Sequence, residues 1–194
     1  MSKERVTAFS DGVIAILITV MVLELKTPDG VDLSALLAAA PVFFSYVLSF
    51  VYIAIYWNNH HHFFQLVRRV DGLVLWANMH LLFWLSLVPF MTRWMDESGF
   101  ATVPVFIYGA NLMLAAIAYA ILQAGFIRQQ GPGGRLARAI GKNVKARVSP
   151  AIYIAGYALT FASPVFGLAA YAVVAAIWLV PDRGMERVLR AGGA

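Results

Sequence analysis

The chain has 194 residues, 61% hydrophobic and only 13% charged. Soluble domains carry roughly 25% charged residues, so this composition, with a mean hydropathy of +0.74, excludes an ordinary soluble globular protein and points to an integral membrane protein. Cys is absent, which excludes a disulfide framework, a Cys-based metal site and a thiol nucleophile; the net charge of +5 is read as charge that orients a membrane chain, not as a nucleic-acid footprint.

A membrane helix needs roughly 20 mostly apolar residues. Residues 6–25 form the first candidate span. No small-residue cleavage site interrupts the run, so it is expected to be a span and not a leader. Residues 34–64 lack Asp, Glu, Lys and Arg, which places a second span at 40–63. Residues 72–92 give a third span and 102–126 a fourth. The stretch 127–149 is basic and broken by Gly and Pro, so it is expected to be a cytoplasmic loop holding at most a short interfacial helix. It has no aromatic interleaving, which favours a solvated or anionic-lipid-facing loop over an RNA contact.

Residues 148–181 are again uncharged and number 34, with Ser163-Pro164 at their centre. Pro biases the residue before it away from the helical region, so two short spans, 150–163 and 165–180, are predicted. With six spans and a cytoplasmic N-terminus, thirteen Lys and Arg fall inside and only Lys26 and Arg93 outside. That asymmetry satisfies the positive-inside rule and puts both termini in the cytoplasm. The expected fold is therefore all-α: one six-helix transmembrane domain over 1–194, without a separate soluble domain or an evident inverted repeat.

The first span reads RVTAFSDGVIAILITVMVLEL. At about 100° per residue, Gly12, Ile16, Thr19, Val20 and Leu23 share an arc of about 100°, and Ser10 and Asp11 point away from it. By itself the aliphatic stripe is what any packing or lipid-facing helix shows. An intramembrane carboxylate, in contrast, calls for a partner inside the bundle. Depth suggests the partners: Trp57, Asn58, Asn59, His60, His61 and His62 at the end of the second span, and Asn78 and His80 in the third. Three successive His side chains point about 100° apart and do not converge on one ion, so hydrogen bonding to Asp11 or Ser10, or a place at the headgroup boundary, is expected and a metal site is not. No nucleophile motif, P-loop or His-Glu-x-x-His is present, so no enzyme is expected. Two functions stay open on the residues alone: a channel, and a proton-coupled secondary transporter using Asp11 and the His cluster.

The motif Arg-x-x-x-Phe-Ser-Asp-Gly falls on Arg5, Phe9, Ser10, Asp11 and Gly12. With YWNNHHHFF and LWANMHLLFWLSLVPF further on, it resembles the signature of the transmembrane protein 175 family, the endolysosomal potassium channel and its prokaryotic relatives, over residues 5–93. The resemblance implies a prokaryotic single-repeat member, a homotetramer in the cell membrane with four first helices around a central pore. It implies no re-entrant pore loop, and this sequence has no Thr-Val-Gly-Tyr-Gly filter. It also implies a hydrophobic constriction seven residues after the motif Phe, at Ile16, followed by Val20 and Leu23 with Thr19 beside them. A ring of Ile side chains offers no oxygen ligands and gates by closure and dewetting, so a moderate preference for potassium over sodium is expected, with permeant potassium as the bound ion and no cofactor. Val20 stands where relatives often carry a longer aliphatic, and the triple His exceeds the usual pair.

Overall fold

The computed structural model describes residues 2–67, 69–131, 134, 137 and 144–180. All regular structure among them is helical: α1 Lys3–Leu23, α2 Leu33–Ala38, α3 Ala40–Leu66, α4 Gly72–Ser86, α5 Val88–Glu97, α6 Thr102–Gln130, α7 Val144–Ala162 and α8 Pro164–Leu179. Among the described residues, four stretches are long and apolar enough to cross a membrane: Lys3–Leu23, Ala40–Leu66, Gly72–Glu97 and Thr102–Gln130. These carry the first four predicted spans, with ends shifted by a few residues. The predicted last two lie on α7 and α8. At 16 residues, α8 rises about 24 Å against a hydrocarbon core of about 30 Å, and α7 holds Lys145 and Arg147 in its first turns. The tail beyond Val180 and most of the basic loop, including the predicted interfacial helix, lie outside the described residues. Of the predicted loop, 127–130 and 144–149 are helical instead, because α6 continues to Gln130 and α7 starts before Pro150.

Local chemistry explains the boundaries. Ser2 caps α1, Asp32 caps α2 and Asp71 caps α4, each accepting a backbone N–H three residues on; these caps satisfy donors that the first helical turn leaves unpaired. Pro41 and Pro164 sit in the first turns of α3 and α8, where the missing N–H costs nothing. Pro89 has a larger effect. It divides the third span at Leu87, whose N–H turns back to the Trp84 carbonyl at 3.3 Å. Asn111 of α6 supplies a second donor to that carbonyl, at 3.1 Å, as a broken membrane helix requires of its neighbours.

In the packed bundle α1 lies against α3, α4 and α5; α6 packs on α4, α5, α7 and α8; and α7 and α8 form a hairpin that turns at Ser163. The core contains a group of tyrosines. Tyr52 donates to the Tyr171 carbonyl at 2.7 Å, Tyr153 donates to the Tyr52 hydroxyl at 3.2 Å, and Tyr157 donates to the Gly109 carbonyl at 3.1 Å. Ser49 binds both Thr92 and the Tyr108 hydroxyl, at 2.7 and 2.9 Å. In a medium without water these bonds tie α7 and α8 to α3 and α6, each hydroxyl finding a partner that lipid does not offer.

Candidate pore face and its polar anchor

Helix α1 has two faces with opposite character. Val6, Ser10, Ile14, Leu17 and Met21 are buried, a spacing of three and four that keeps them on one side. Phe9, Ile16, Val20 and Leu23 are uncovered, with Ile16 61% and Leu23 80% exposed. Gly12 joins this face with no atom within 4 Å of where a Cβ would stand. Thr19 is exposed and donates its hydroxyl proton to the Ile16 carbonyl at 2.9 Å, with the Ala15 carbonyl at 3.3 Å. Its donor is thus spent within its own helix, and the oxygen lone pairs are left to whatever faces the stripe.

The polar residues form two groups rather than one. The first is buried. His60 Nε2 lies 2.8 Å from Asn78 Oδ1, Asn78 Nδ2 donates to Ser10 Oγ at 2.9 Å, and Ser10 Oγ donates to the Val6 carbonyl at 2.9 Å. Ser10, His60 and Asn78 are all 0% exposed. Because the Asn78 oxygen can only accept, the His60 proton sits on Nε2, and Nδ1 is left with no hydrogen-bond partner, packed against the stacked Phe64 ring. Every donor in this chain points one way and the last one meets a backbone carbonyl. The group fixes three helices in register and has no terminal acceptor side chain to receive a proton.

The second group lies at the surface. Trp57 Nε1 donates to Asp11 Oδ1 at 3.1 Å, Trp57 stacks on His61 at 5.8 Å between ring centres, and His61 Nε2 meets Gln65 Nε2 at 2.8 Å. Of the alternatives the sequence leaves open, Asp11 is held by Trp57, while His60 reaches Ser10 through Asn78. Successive residues on a helix diverge by about 100°, so Ser10 and Asp11 cannot both enter one cluster. His80 also leaves it, accepting from Trp84 Nε1 at 2.8 Å on the exposed side of α4. Arg5 is exposed and gives its backbone N–H to the Ser2 cap.

A third feature, at the other end of α1, was not foreseen. Arg93 of α5 binds Glu24, the residue after α1, at 2.7 Å and Glu97 at 3.1 Å, and Lys26 reaches Glu97 at 3.3 Å. In sequence Lys26 and Arg93 served only to count outer charges. Their acidic partners were the available signal: Glu97 lies four residues after Arg93, and Glu24 ends the first apolar run. The broken third span therefore holds α1 at both ends, through Asn78 on α4 and Arg93 on α5. Among the described residues no group of His, Asp and Glu has the makings of a metal site.

Known proteins resemble this chain. Over 190 residues the chain is 49% identical to a potassium channel of Chryseobacterium sp. (strain P1-3), covering 98% of this chain and 99% of that one. The family model described as endosomal/lysosomal potassium channel TMEM175 matches residues 5–89. The chain belongs to the TMEM175 family. A potassium channel of Chamaesiphon minutus is 35% identical over 173 residues, 82% of this chain and 84% of its own. The crystal structure of a lysosomal potassium-selective channel TMEM175 homolog from that organism superposes with a TM-score of 0.80 at 30% identity, covering 93% of this chain and 98% of that one. TMEM175 is a family of membrane channels, not of enzymes, and this member is a membrane protein of that fold.

Proposed function

We propose that this protein is a potassium-conducting cation channel, a homotetramer in which four α1 helices surround the axis and Ile16 makes the narrowest ring. The observation that carries this reading is the uncovered stripe of α1, Ile16, Val20 and Leu23 with Gly12 and Thr19, on a helix fastened to its own bundle at both ends. The close likeness along the whole chain to a bacterial potassium channel supports the same reading. In it, Ile16 gates by steric closure and dewetting, and four Thr19 oxygens, their protons already donated inward, offer lone pairs to a partly hydrated ion. Such a pore prefers potassium over sodium moderately. The hairpin α7–α8 completes six spans, with both termini cytoplasmic, as the charge asymmetry requires.

The transporter alternative relied on Asp11 and the His cluster handling protons together. The separation of Asp11 from His60, and a buried hydrogen-bond chain that ends on the Val6 carbonyl, leave it without a relay.

The test is potassium and sodium flux through purified protein in liposomes, with reversal potentials under bi-ionic conditions. Ile16→Asn is expected to wet the constriction, raise flux and bring the potassium-to-sodium permeability ratio toward unity. Unchanged flux and selectivity in a well-assembled Ile16→Asn channel would falsify Ile16 as the narrowest point.

A further inference from the structure

A crevice of about 370 Å³ opens between α3, α6, α7 and α8. No residue of α1 lines it, so it lies apart from the stripe on which the pore reading rests. Its walls are apolar for most of their length, among them Tyr56, Ile117, Ala120 and Ile154. Ile117 and Ile154 are 45% and 62% exposed, which leaves the slot open to whatever surrounds the bundle. A volume of this size is within the range of small-ligand sites. It exists because α6 presents Ala116 and Ala120 where larger side chains would fill the space.

The two ends of the crevice differ in chemistry. One end is Asn59, Gln123 and Ser149, with Trp178 Nε1 donating to Ser149 Oγ at 2.9 Å. Trp at the edge of an apolar slot is the residue expected where hydrocarbon meets headgroups. Just beyond this end α7 carries Lys145 and Arg147. Arg147 is exposed, one turn before Pro150, and its helical direction is within about 20° of that of Ile154 on the crevice wall. Lys145 donates to the Val180 carbonyl beside Trp178. Along α7 the lining runs from Ala146 to Ile154, about 12 Å of rise, well under half of the roughly 30 Å hydrocarbon thickness. The crevice therefore belongs to one leaflet. An apolar slot one leaflet deep, with an indole at its boundary and two cations at its mouth, matches one acyl chain and the anionic head of an amphiphile.

We propose that this crevice is a binding site for an anionic phospholipid, one acyl chain lying against Ile117, Ala120 and Ile154 and the phosphate held by Arg147 and Lys145. The leaflet is the cytoplasmic one, a detail that rests on the orientation proposed above. The bound chain ties the α7–α8 hairpin to α3 and α6 at the depth where Ala116 and Ala120 leave them apart.

The test is native mass spectrometry of the purified full-length protein, titrated with phosphatidylglycerol or with phosphatidylcholine of the same acyl chains. Phosphatidylglycerol is expected to be retained in preference. Arg147→Gln should weaken its retention about fivefold, the worth of one basic residue near an anionic headgroup, and leave phosphatidylcholine unchanged. Ala120→Trp, which fills the crevice, should lower retention of both; if its helical spectrum is lost, Ala116→Leu takes its place. Equal retention of the two lipids, or phosphatidylglycerol binding that survives both Arg147→Gln and the filled crevice, overturns the proposal. A fatty acid that displaces phosphatidylglycerol equally well before and after Arg147→Gln overturns the phosphate contact. Because the readout is bound mass and not ion flux, a failed lipid site and a failed pore reading give different results.

Discussion

At the scale of single residues, the informative contrast is between Ser10 and Asp11. Ser10 is fully buried and joins a hydrogen-bond chain through Asn78 to His60, whereas Asp11 is held by Trp57 near the surface. Removing Asn78 leaves the His60 Nε2 proton buried without an acceptor. Asn78→Ala is therefore expected to lower stability by about 1–2 kcal/mol, the upper range for polar contacts between membrane helices. Asp11→Ala should cost less, because its bond is accessible to water. Thermal unfolding of the two variants in detergent checks the order; a larger loss for Asp11→Ala would mean that the surface pair, not the buried chain, holds α1. The need for a polar partner was legible in the sequence because a polar group in an apolar helix cannot stand alone. Which partner it takes was not, because depth along a helix is read from residue number while direction depends on how neighbouring helices are rotated.

At the scale of elements, glycines decide how closely helices approach. A Cβ on Gly109 would stand 2.1 Å from the Tyr171 ring, and one on Gly167 would stand 2.0 Å from the Thr160 hydroxyl. Overpacking of this kind typically costs about 1–3 kcal/mol, so Gly109→Ala is expected to push α6 and α8 apart and lower Tm. A fluorescence melt and the chromatographic homogeneity of the purified protein report it. The start of α4 has a pH dependence. Asp71 accepts from the Val74 N–H at 2.8 Å, and that bond, with smaller help from Gln129 and Arg128, holds its carboxyl below the usual 3.8. A depressed carboxylate contributes stability that is present above its unfolded value and lost as pH falls through the folded one. Protection of the first amides of α4 against hydrogen exchange, taken relative to the intrinsic rate at each pH, should therefore fall on acidification below about 3.8, and Asp71→Asn should remove most of that dependence. Helices that carry long apolar runs were readable in advance, whereas the short α2 after its Asp32 cap was not. The break at Leu87 was harder to see, since Pro89 lies within a long stretch free of charged residues and its consequence depends on Asn111 arriving from α6.

At the scale of the whole molecule, the pore reading makes a directional prediction. The chain has no Cys, so any introduced thiol is unique. Ile16→Cys should render flux sensitive to block by a charged thiosulfonate reagent added to liposomes, and mild oxidation should join neighbouring chains. Val22→Cys, exposed but about 120° away around α1, should do neither. Equal block at both positions would indicate that the stripe faces lipid and that ions cross elsewhere. The clasp made by Glu24, Arg93, Glu97 and Lys26 belongs to this scale too. Exposed ion pairs contribute little to stability, about 0–1 kcal/mol, so its role is to set where the C-terminal end of α1 stands relative to α5.

The sequence by itself determined that this is a helical membrane protein, where its first four long apolar helical stretches lie, which residues share a face of α1, and the family to which its motif belongs. These properties are local: hydropathy, the helical period and a short motif survive in one dimension. Only the tertiary structure decided that Ser10 and Asp11 have different partners, that α4 and α5 fasten α1 at both ends, and that a crevice separates α3 and α6 from the α7–α8 hairpin. Those outcomes depend on the rotation and spacing of packed helices, which many residues far apart in the chain set together.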